Sequence, residues 1–295
     1  MQRRTFLSSA LTGAGLSSAL LGTGAALLSP KAEAAPSAAA GPLTAQTTEG
    51  PYYLALDLVR ADITEGLHGI PLDVAFTVLD ADGRPSTGAI VDIWHCDAEG
   101  RYSGFDQPGG KASKGTTFLR GSQVVGQDGR VVFHSLYPGW YQGRTTHIHF
   151  KVRRGQLTNL TSQFFLPDTL SEYLYTQVAA YKREAVRDTL NSTDGIAIEA
   201  GATVHGGVRE DQGRYVAALT VYVDPAANPP IDRPPAPGQM PLGQMPPGMK
   251  DMPPPGGFSG PPPFQTALSG DQRLSALLPT AKPSAARPPM PPRNG

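Results

Sequence analysis

The sequence predicts an all-β protein, an antiparallel β-sandwich with one short helical excursion. Two observations indicate this fold class: short stretches in which apolar and polar residues alternate, and turn signals rich in Gly, Asp and Pro between them. The segment 72–79 (Leu-Asp-Val-Ala-Phe-Thr-Val-Leu) alternates in this way and is followed by the turn sequence Asp-Ala-Asp-Gly-Arg-Pro at 80–85. Residues 45–224, about 180 in all, are enough to enclose one hydrophobic core.

The other elements follow in chain order from the same signals. Further strands are predicted at 89–96, 116–121, near 124, 131–133, 147–152, 161–166 and 214–223. The one helix is predicted at 167–190, with Asp168 or Ser171 as its N-cap and the polar stretch 191–195 at its end. Many short strands and almost no helix are typical of a sandwich.

The N-terminus is predicted to be an export signal. Arg3 and Arg4 form a twin-arginine pattern, an uncharged run of small and apolar residues follows, and a small-x-small cleavage site ends at Ala34. Residues 1–34 would therefore be removed, and the mature protein would work in the periplasm or outside the cell without stable membrane insertion. An uncleaved membrane anchor is the alternative, although the run is only moderately apolar.

Composition separates a folded part from its flanks and excludes several kinds of protein. Residues 35–44 are predicted to be a linker. Residues 225–295 hold most of the 30 prolines and all but one of the six methionines, and they are predicted to be an extended or disordered tail. The 25 basic and 25 acidic residues balance, which gives no indication of nucleic-acid binding. The single cysteine, Cys96, excludes an intrachain disulfide and is predicted to be a buried structural thiol.

The stretch 138–152 contains the strongest sign of a functional site. His147 and His149 fall on one face of a predicted strand, whereas Ile148 and its apolar partners fall on the other. Residues i and i+2 of a strand lie about 6.5–7 Å apart and point the same way, so the two imidazoles can converge on one ion. Tyr141 and Arg144 lie just upstream, on a connection that can fold over the same place. A metal site is the first hypothesis.

Four ordered motifs resemble the intradiol ring-cleavage dioxygenases, which include catechol 1,2-dioxygenase and protocatechuate 3,4-dioxygenase. The resemblance covers residues 47–224 and includes a Thr-x-Glu-Gly-Pro-Tyr-Tyr segment at 47–53. The motifs are Ile-Trp-His-Cys-Asp-Ala-x-Gly-x-Tyr-Ser at 93–103, Pro-Gly-x-Tyr at 138–141, Arg-x-x-His-Ile-His at 144–149 and Thr-x-Gln-Phe-Phe at 161–165.

The resemblance implies a non-haem Fe(III) site, with one ion per chain and four protein ligands. These would be Tyr102, Tyr141, His147 and His149. Two phenolates favour ferric iron, because a phenolate is a hard anionic ligand. The substrates would be a small-molecule catechol and O2, cleaved to a muconate-type diacid in which both oxygen atoms are retained.

The resemblance also implies the roles of nearby residues. Tyr141 would leave the ion and take a substrate proton, Arg144 would stabilise negative charge on the ring, and Gln163 would hydrogen-bond in the pocket. Pro51 and Tyr52 would line the mouth of the pocket. There is no room for the N-terminal helical segment with which some catechol dioxygenases dimerise, so a homodimer is left open.

Two alternatives belong to other functional classes. Residues 72–103 also look like a transthyretin-type binding module without catalytic activity, which would need neither the His-Ile-His strand nor the tyrosines. A zinc hydrolase could use His147 and His149, but it would need a third histidine or a carboxylate with ligand-like spacing. His95, His134 and His205 match no motif and are predicted to be structural.

Overall fold

The computed structural model describes residues 40–106, 113–234, 268 and 270–277. The predicted signal peptide lies outside the described residues, as do large parts of the predicted tail. The described residues form eight strands: β1 (Pro71–Asp80), β2 (Ile90–Trp94), β3 (Arg120–Val124), β4 (Arg130–Leu136), β5 (His147–Arg154), β6 (Leu157–Phe165), β7 (Gly207–Asp211) and β8 (Arg214–Val223).

The strands form two four-stranded sheets, which confirms the predicted sandwich. One sheet has the order β4-β1-β8-β7 and the other β3-β2-β5-β6. Neighbouring strands are antiparallel except for β1 and β8, which run parallel over nine residue pairs from Leu72↔Tyr215 to Asp80↔Val223. Parallel pairing requires a long connection, and the chain between β1 and β8 contains all four strands of the second sheet as well as β4 and β7.

The core lies between the two sheets, and β5 contributes one of its faces to it. Ile148, Phe150 and Val152 are fully buried in the main hydrophobic cluster, as their alternation with the histidines predicts. Phe76 of β1 meets Phe150 across the core with a ring-centroid distance of 4.9 Å. The same alternation turns His147 and His149 away from this core, toward the end of the second sheet where the site lies.

The predicted helix at 167–190 is too long. The helix α1 spans Asp168–Gln177, and the rest of the predicted span, from 179 to 190, forms turns and irregular chain. Neither predicted cap acts as one: Asp168 pairs with Arg187 at 2.7 Å, and the Ser171 hydroxyl donates to the Pro167 carbonyl. No helix among the described residues is long and apolar enough to cross a membrane.

Two strands also differ from the prediction. The strand predicted at 116–121 is β3, which begins only at Arg120, because Leu119 adopts a left-handed conformation with φ of 56°. The edge strand β7 was not predicted, since its exposed polar sequence has little alternation. The stretch 191–195, predicted to end a helix, begins one: Asp194 caps α2 (Gly195–Ala200) by accepting hydrogen bonds from Ile196 N and Ala197 N.

The folded unit extends beyond the predicted boundaries at 45 and 224. On the N-terminal side, Thr44 is buried and its N–H donates to the Tyr222 carbonyl at 2.9 Å. On the C-terminal side, residues 225–234 pack back on the domain, because Asn159 donates to the carbonyls of Pro225 and Ala227. A third helix, α3 (Gly270–Leu277), lies within the segment 225–295 that the sequence predicts to be extended or disordered.

Candidate metal centre

His147 and His149 point their imidazoles at the same place. Their Nε2 atoms are 3.1 Å apart. His147 Nδ1–H donates to the Thr145 carbonyl at 2.6 Å, so its Nε2 carries the free lone pair. His149 is held by Trp94 of the neighbouring strand β2, whose ring stacks on the imidazole at 5.0 Å and 12°. The strand pair thus presents two nitrogen donors with fixed orientation.

Tyr102 and Tyr141 complete a row of four donor atoms. Tyr141 Oη lies 3.0 Å from His147 Nε2 and 3.4 Å from Tyr102 Oη. Ligand atoms bound about 2.0–2.1 Å from one ion at angles between 90° and 110° are themselves about 2.9–3.4 Å apart. The three separations between neighbouring donor atoms are those expected of ligands that share an ion.

The two tyrosines come from loops that pack backbone against backbone. A Cβ at Gly100 would lie 2.2 Å from the Trp140 carbonyl oxygen, and one at Gly139 would lie 2.4 Å from the Ala98 carbonyl oxygen. Only glycine permits this approach, so the Gly residues of both motifs bring the tyrosine loops together. Asp97 fixes the first loop, because its Oδ1 accepts from the N–H groups of Glu99 and Arg101, each at 2.9 Å.

Burial favours the neutral form of all four side chains. Burial raises the pKa of the Tyr102 and Tyr141 phenols, and burial together with the nearby Arg144 cation lowers the pKa of His147. For His149, burial is again the first cause of a lowered pKa, followed by the repulsion that a protonated His147 and the Arg144 cation would exert. Neutral imidazoles are ready to bind a metal, and a trivalent cation would favour ionisation of the phenols at this buried position. The residues present thus fit a ferric ion.

Arg144 and Gln163 lie beside the four donor residues: Gln163 pairs in register with His149, and Arg144 N donates to the Tyr141 carbonyl at 3.4 Å. Arg144 Nη2 donates to Gln163 Oε1, while Gln163 Nε2 donates to the Thr48 carbonyl at 3.0 Å. The other edge of the guanidinium is fixed by Asp194, whose Oδ2 accepts from Arg144 Nε at 2.9 Å. The prediction did not include Asp194. The sequence does contain a signal for it, because Asp194 is a residue type that favours the N-cap of a helix. The sequence prediction instead places a helix end at 191–195.

The segment 47–53 covers the histidine side of the site. Tyr52 stacks on Tyr102 with a centroid distance of 4.4 Å, which places it beside one of the four donor residues. Gly50 has a φ of 70° and approaches His149 so closely that a Cβ would lie 3.1 Å from Cε1. Pro51 occupies the turn between them and is partly buried.

The comparisons with known proteins agree with this geometry. A family model described as Dioxygenase matches residues 48–206, more than half of the chain. A solved intradiol ring-cleavage dioxygenase from Tetranychus urticae is similar with a TM-score of 0.60 and 30% identity, covering 64% of this chain and 98% of that one.

This chain belongs to the intradiol ring-cleavage dioxygenase family.

Two curated relatives are catechol 1,2-dioxygenases. The family member of Acinetobacter baylyi is 30% identical over 215 residues, 65% of this chain and 67% of that protein. Catechol 1,2-dioxygenase 1 of Acinetobacter lwoffii is 33% identical over 144 residues, 41% of this chain and 45% of that protein. The chain thus spans between about half and two thirds of the length of these two relatives.

Three further histidines and the cysteine make structural contacts. His95 is fully enclosed and hydrogen-bonds to Ser135, and His134 pairs with Asp73 at 2.8 Å. The ring of His205 packs beside Phe165 with a centroid distance of 5.7 Å. Cys96 is buried, and burial raises the pKa of its thiol.

The two alternatives account for the site less well. A transthyretin-type module does not need two tyrosines and two histidines in a row in which each Oη or Nε2 atom lies within 3.4 Å of the next. For a zinc hydrolase, the third ligand is the difficulty: within residues 40–106, 113–234 and 270–277, no three His, Cys, Asp or Glu side chains are grouped so that they could hold a metal.

Proposed function

We propose that the protein is a non-haem Fe(III) dioxygenase that cleaves a catechol-type ring between its two hydroxylated carbons. Both atoms of O2 would enter the product, a muconate-type diacid. The observation that carries the proposal is the row of donor atoms from Tyr102, Tyr141, His147 and His149, in which each atom lies 3.0–3.4 Å from the next. The catechol dioxygenases among its relatives support a catechol as the substrate class.

The four side chains would hold one ferric ion per chain. Two neutral imidazoles and two phenolates give a net charge of minus two, which suits a trivalent cation better than a divalent one. Bound there, Fe(III) would act as a Lewis acid toward the catechol oxygens and make the ring reactive toward O2.

Tyr141 is the group that accepts a proton from the substrate. Its Oη lies 3.0 Å from His147 Nε2 and 3.4 Å from Tyr102 Oη, on a loop rather than on a strand. Because burial raises the pKa of this phenol, a Tyr141 phenolate would readily take up a catechol proton. Tyr102 is held by the Tyr52 ring and stays in place as a ligand.

Arg144 stabilises the negative charge that a deprotonated catechol carries. Its guanidinium is fixed on two sides, by Gln163 and by Asp194, so it needs no reorganisation when charge develops on the ring. Gln163 is itself fully buried and tied to Thr48, which keeps the amide oxygen turned toward Arg144. Tyr52 and Pro51 form the adjacent rim and limit how the ring enters.

Two further parts of the proposal rest on the sequence. The twin-arginine pattern at Arg3 and Arg4 supports export in a folded state, with a periplasmic or extracellular location. Export after folding suits an enzyme that acquires its metal inside the cell. A homodimer is compatible with the sequence, and O2 and one small catechol are the partners that the proposed reaction needs.

The test combines colour, iron content and product. The purified protein should contain about one iron per chain and show an intense visible band, because a phenolate bound to Fe(III) transfers charge to the metal. A panel of catechol, protocatechuate and hydroxyquinol should give oxygen uptake and a muconate-type product with at least one member. A colourless wild type that is fully active would contradict the proposal.

Substitutions separate binding of the metal from chemistry. Tyr102→Phe and His149→Ala should lose iron and colour, because each removes a ligand. Arg144→Ala should keep the colour and lower turnover about 10²–10³-fold, since it removes a charge that acts on the reacting ring. Tyr173→Phe, at an exposed tyrosine on α1, is the matched control and should change neither property.

A further inference from the structure

Arg183 lies where the loops of the two proposed tyrosine ligands meet, in the irregular chain that follows α1. Its Nη2 donates to the Trp140 carbonyl, and its guanidinium carbon lies 4.2 Å from the centre of the Trp140 ring. Trp140 directly precedes Tyr141. On the other loop, a Cβ at Gly100, two residues before Tyr102, would lie 3.4 Å from Arg183 Nη1. One side chain therefore contacts both tyrosine loops.

The Trp140 carbonyl is a point of close contact between these two loops. Trp140 is buried, and its carbonyl oxygen faces Gly100 so closely that the loops meet without an intervening side chain. Gly139 N donates to the Asp97 carbonyl at 2.9 Å, which joins the loops one residue earlier. A buried carbonyl needs a hydrogen-bond donor, and Arg183 supplies a charged one while its cation also attracts the Trp140 ring.

The chain on either side of Arg183 is anchored in the domain. Tyr181 is buried, and its hydroxyl donates to the Tyr137 carbonyl at 2.8 Å. Arg187 is also buried, and it pairs with Asp168 of α1 at 2.7 Å. Two fixed points thus flank Arg183, which is held at a defined place beside the tyrosine loops.

We propose that Arg183 is a positioning residue that sets the separation of Tyr102 and Tyr141 by holding their loops together. The inference rests on the proposed function, since the two phenols act as a ligand pair only in the iron enzyme. Their Oη atoms lie 3.4 Å apart, within the range expected for ligands of one ion. Arg183 acts on this separation through the backbone at Gly100 and Trp140 rather than at the phenol oxygens. A ligand pair that is positioned before the ion binds holds it more tightly, because less ordering is needed on binding.

Two substitutions at Arg183 and one remote control test the proposal. Arg183→Met keeps most of the side-chain length but removes the charge and the donors, whereas Arg183→Lys keeps the charge without the planar fork. Arg154→Met is the matched control, because Arg154 also donates to a backbone carbonyl, that of Thr87 at 3.2 Å. Arg154 is at the far end of β5, about 23 Å from His147 at about 3.3 Å per residue.

The measurements follow the loops and the ligand pair separately. Each full-length protein is first checked by circular dichroism. Amide hydrogen exchange is then measured on the iron-free protein at residues 98–102 and 139–142, which contain the two tyrosines. Iron affinity is measured by titration with Fe(III), followed by the visible band.

We expect Arg183→Met to speed amide exchange in both loops about 10-fold or more, which corresponds to the loss of a hydrogen bond from a charged donor. Its iron affinity should fall about 10–100-fold. Arg183→Lys should lie between Arg183→Met and the wild type in both measurements. Arg154→Met should keep the wild-type exchange in these loops and the wild-type iron affinity. If Arg183→Met does not fold, Arg183→Lys decides, because it too should exchange faster in the loops and bind iron less tightly than the wild type.

Three outcomes would overturn the inference. These are unchanged loop exchange in Arg183→Met, faster loop exchange without any loss of iron affinity, and a loss of iron affinity in Arg154→Met as large as that in Arg183→Met. A wild type that binds no iron and shows no visible band would instead overturn the proposed function itself. Exchange in the iron-free loops would still show whether Arg183 holds them, so the two failures are distinguishable.

Discussion

At the scale of single residues, Asp194 connects the proposed catalytic arginine to the fold. Its Oδ2 accepts from Arg144 Nε and from Thr145 N, each at 2.9 Å, while its Oδ1 accepts from the first N–H groups of α2. One buried carboxylate thus fixes the guanidinium, the start of a helix, and Thr145, whose carbonyl accepts a hydrogen bond from His147. This arrangement explains how an arginine on a loop can be held as firmly as one on a strand.

We predict that Asp194→Asn lowers kcat about 10–100-fold while the visible band and iron content stay close to those of the wild type. The amide retains one acceptor oxygen for the helix but loses the charge that holds Arg144. Steady-state kinetics with the best catechol of the panel, together with absorption spectra, provide the measurement. Asp211→Asn, at an exposed ion pair with Arg209, is the control, and equal activity of both variants would refute the prediction.

At the scale of elements, the segment 47–53 is held in place by residues 225–234, which follow β8. Glu49 is fully buried and pairs both with Lys151 of β5 and with Arg233, while Glu49 N donates to the Asp232 carbonyl at 2.8 Å. Lys151 Nζ also lies 3.6 Å from the centre of the Tyr53 ring. The segment that carries Tyr52 to the site is therefore secured by residues 225–234, which the sequence placed in a disordered tail.

The Glu49–Lys151 pair should be important for stability because it is buried. We predict that Glu49→Gln lowers the free energy of unfolding by about 3–5 kcal/mol, since Lys151 is then left without a counter-charge in the protein interior. Adding Lys151→Met to this variant should recover part of the loss. Urea unfolding of the two single variants and the double variant measures the coupling.

The exposed pair Arg84–Asp82 provides the control for this cycle. Its two side chains are largely in water, and Asp82→Asn should change the free energy of unfolding by no more than about 0.5 kcal/mol. A Glu49→Gln variant that is no less stable than Asp82→Asn would show that the buried pair does not anchor the segment.

At the scale of the whole molecule, His95 links the two sheets. It follows β2 of the second sheet, and its Nε2 accepts from the Ser135 hydroxyl of β4, in the first sheet, at 2.7 Å. Its Nδ1–H donates to the Cys96 carbonyl at 2.8 Å. Burial lowers the pKa of His95 to about 4, so the imidazole stays neutral in the folded protein where the unfolded chain would protonate it.

This difference predicts a loss of stability in mild acid. Above pH 6.5 His95 is neutral in both states and adds no pH dependence. Between pH 6.5 and about 4 only the unfolded chain takes up the proton, so the folded state loses up to about 3 kcal/mol relative to it. In His95→Gln this part of the pH dependence should disappear, although the variant is less stable at pH 7.

Urea unfolding of the iron-free protein at several pH values provides the measurement, because loss of metal then makes no contribution. The difference in unfolding free energy between wild type and His95→Gln should shrink as the pH falls from 6.5 to 4. His68→Gln, at an exposed histidine, is the matched control. A difference that stays constant over this range would contradict the assignment of the acid sensitivity to His95.

Local patterns determined much of the fold and of the proposed ligand set. Alternation placed β1, β5 and β8 correctly, because a strand with one face in the core has a period of two that can be read along the chain. It also put His147 and His149 on one face. The edge strand β7 and the ends of α1 were missed, because an exposed edge has no apolar period and Asp168 makes a tertiary ion pair instead of a cap.

The sequence by itself determined the sandwich, the His-Ile-His face and the tyrosine motifs, since each depends on neighbours along the chain. Only the tertiary structure decided that Tyr102 and Tyr141 meet those histidines, that Asp194 holds Arg144 and that Glu49 is secured from the far end of the domain. Except for Tyr141 and His147, which are 6 positions apart, these contacts join residues 39 to 184 positions apart. Charge matching and close backbone approach act through space, and no local pattern in the chain records them.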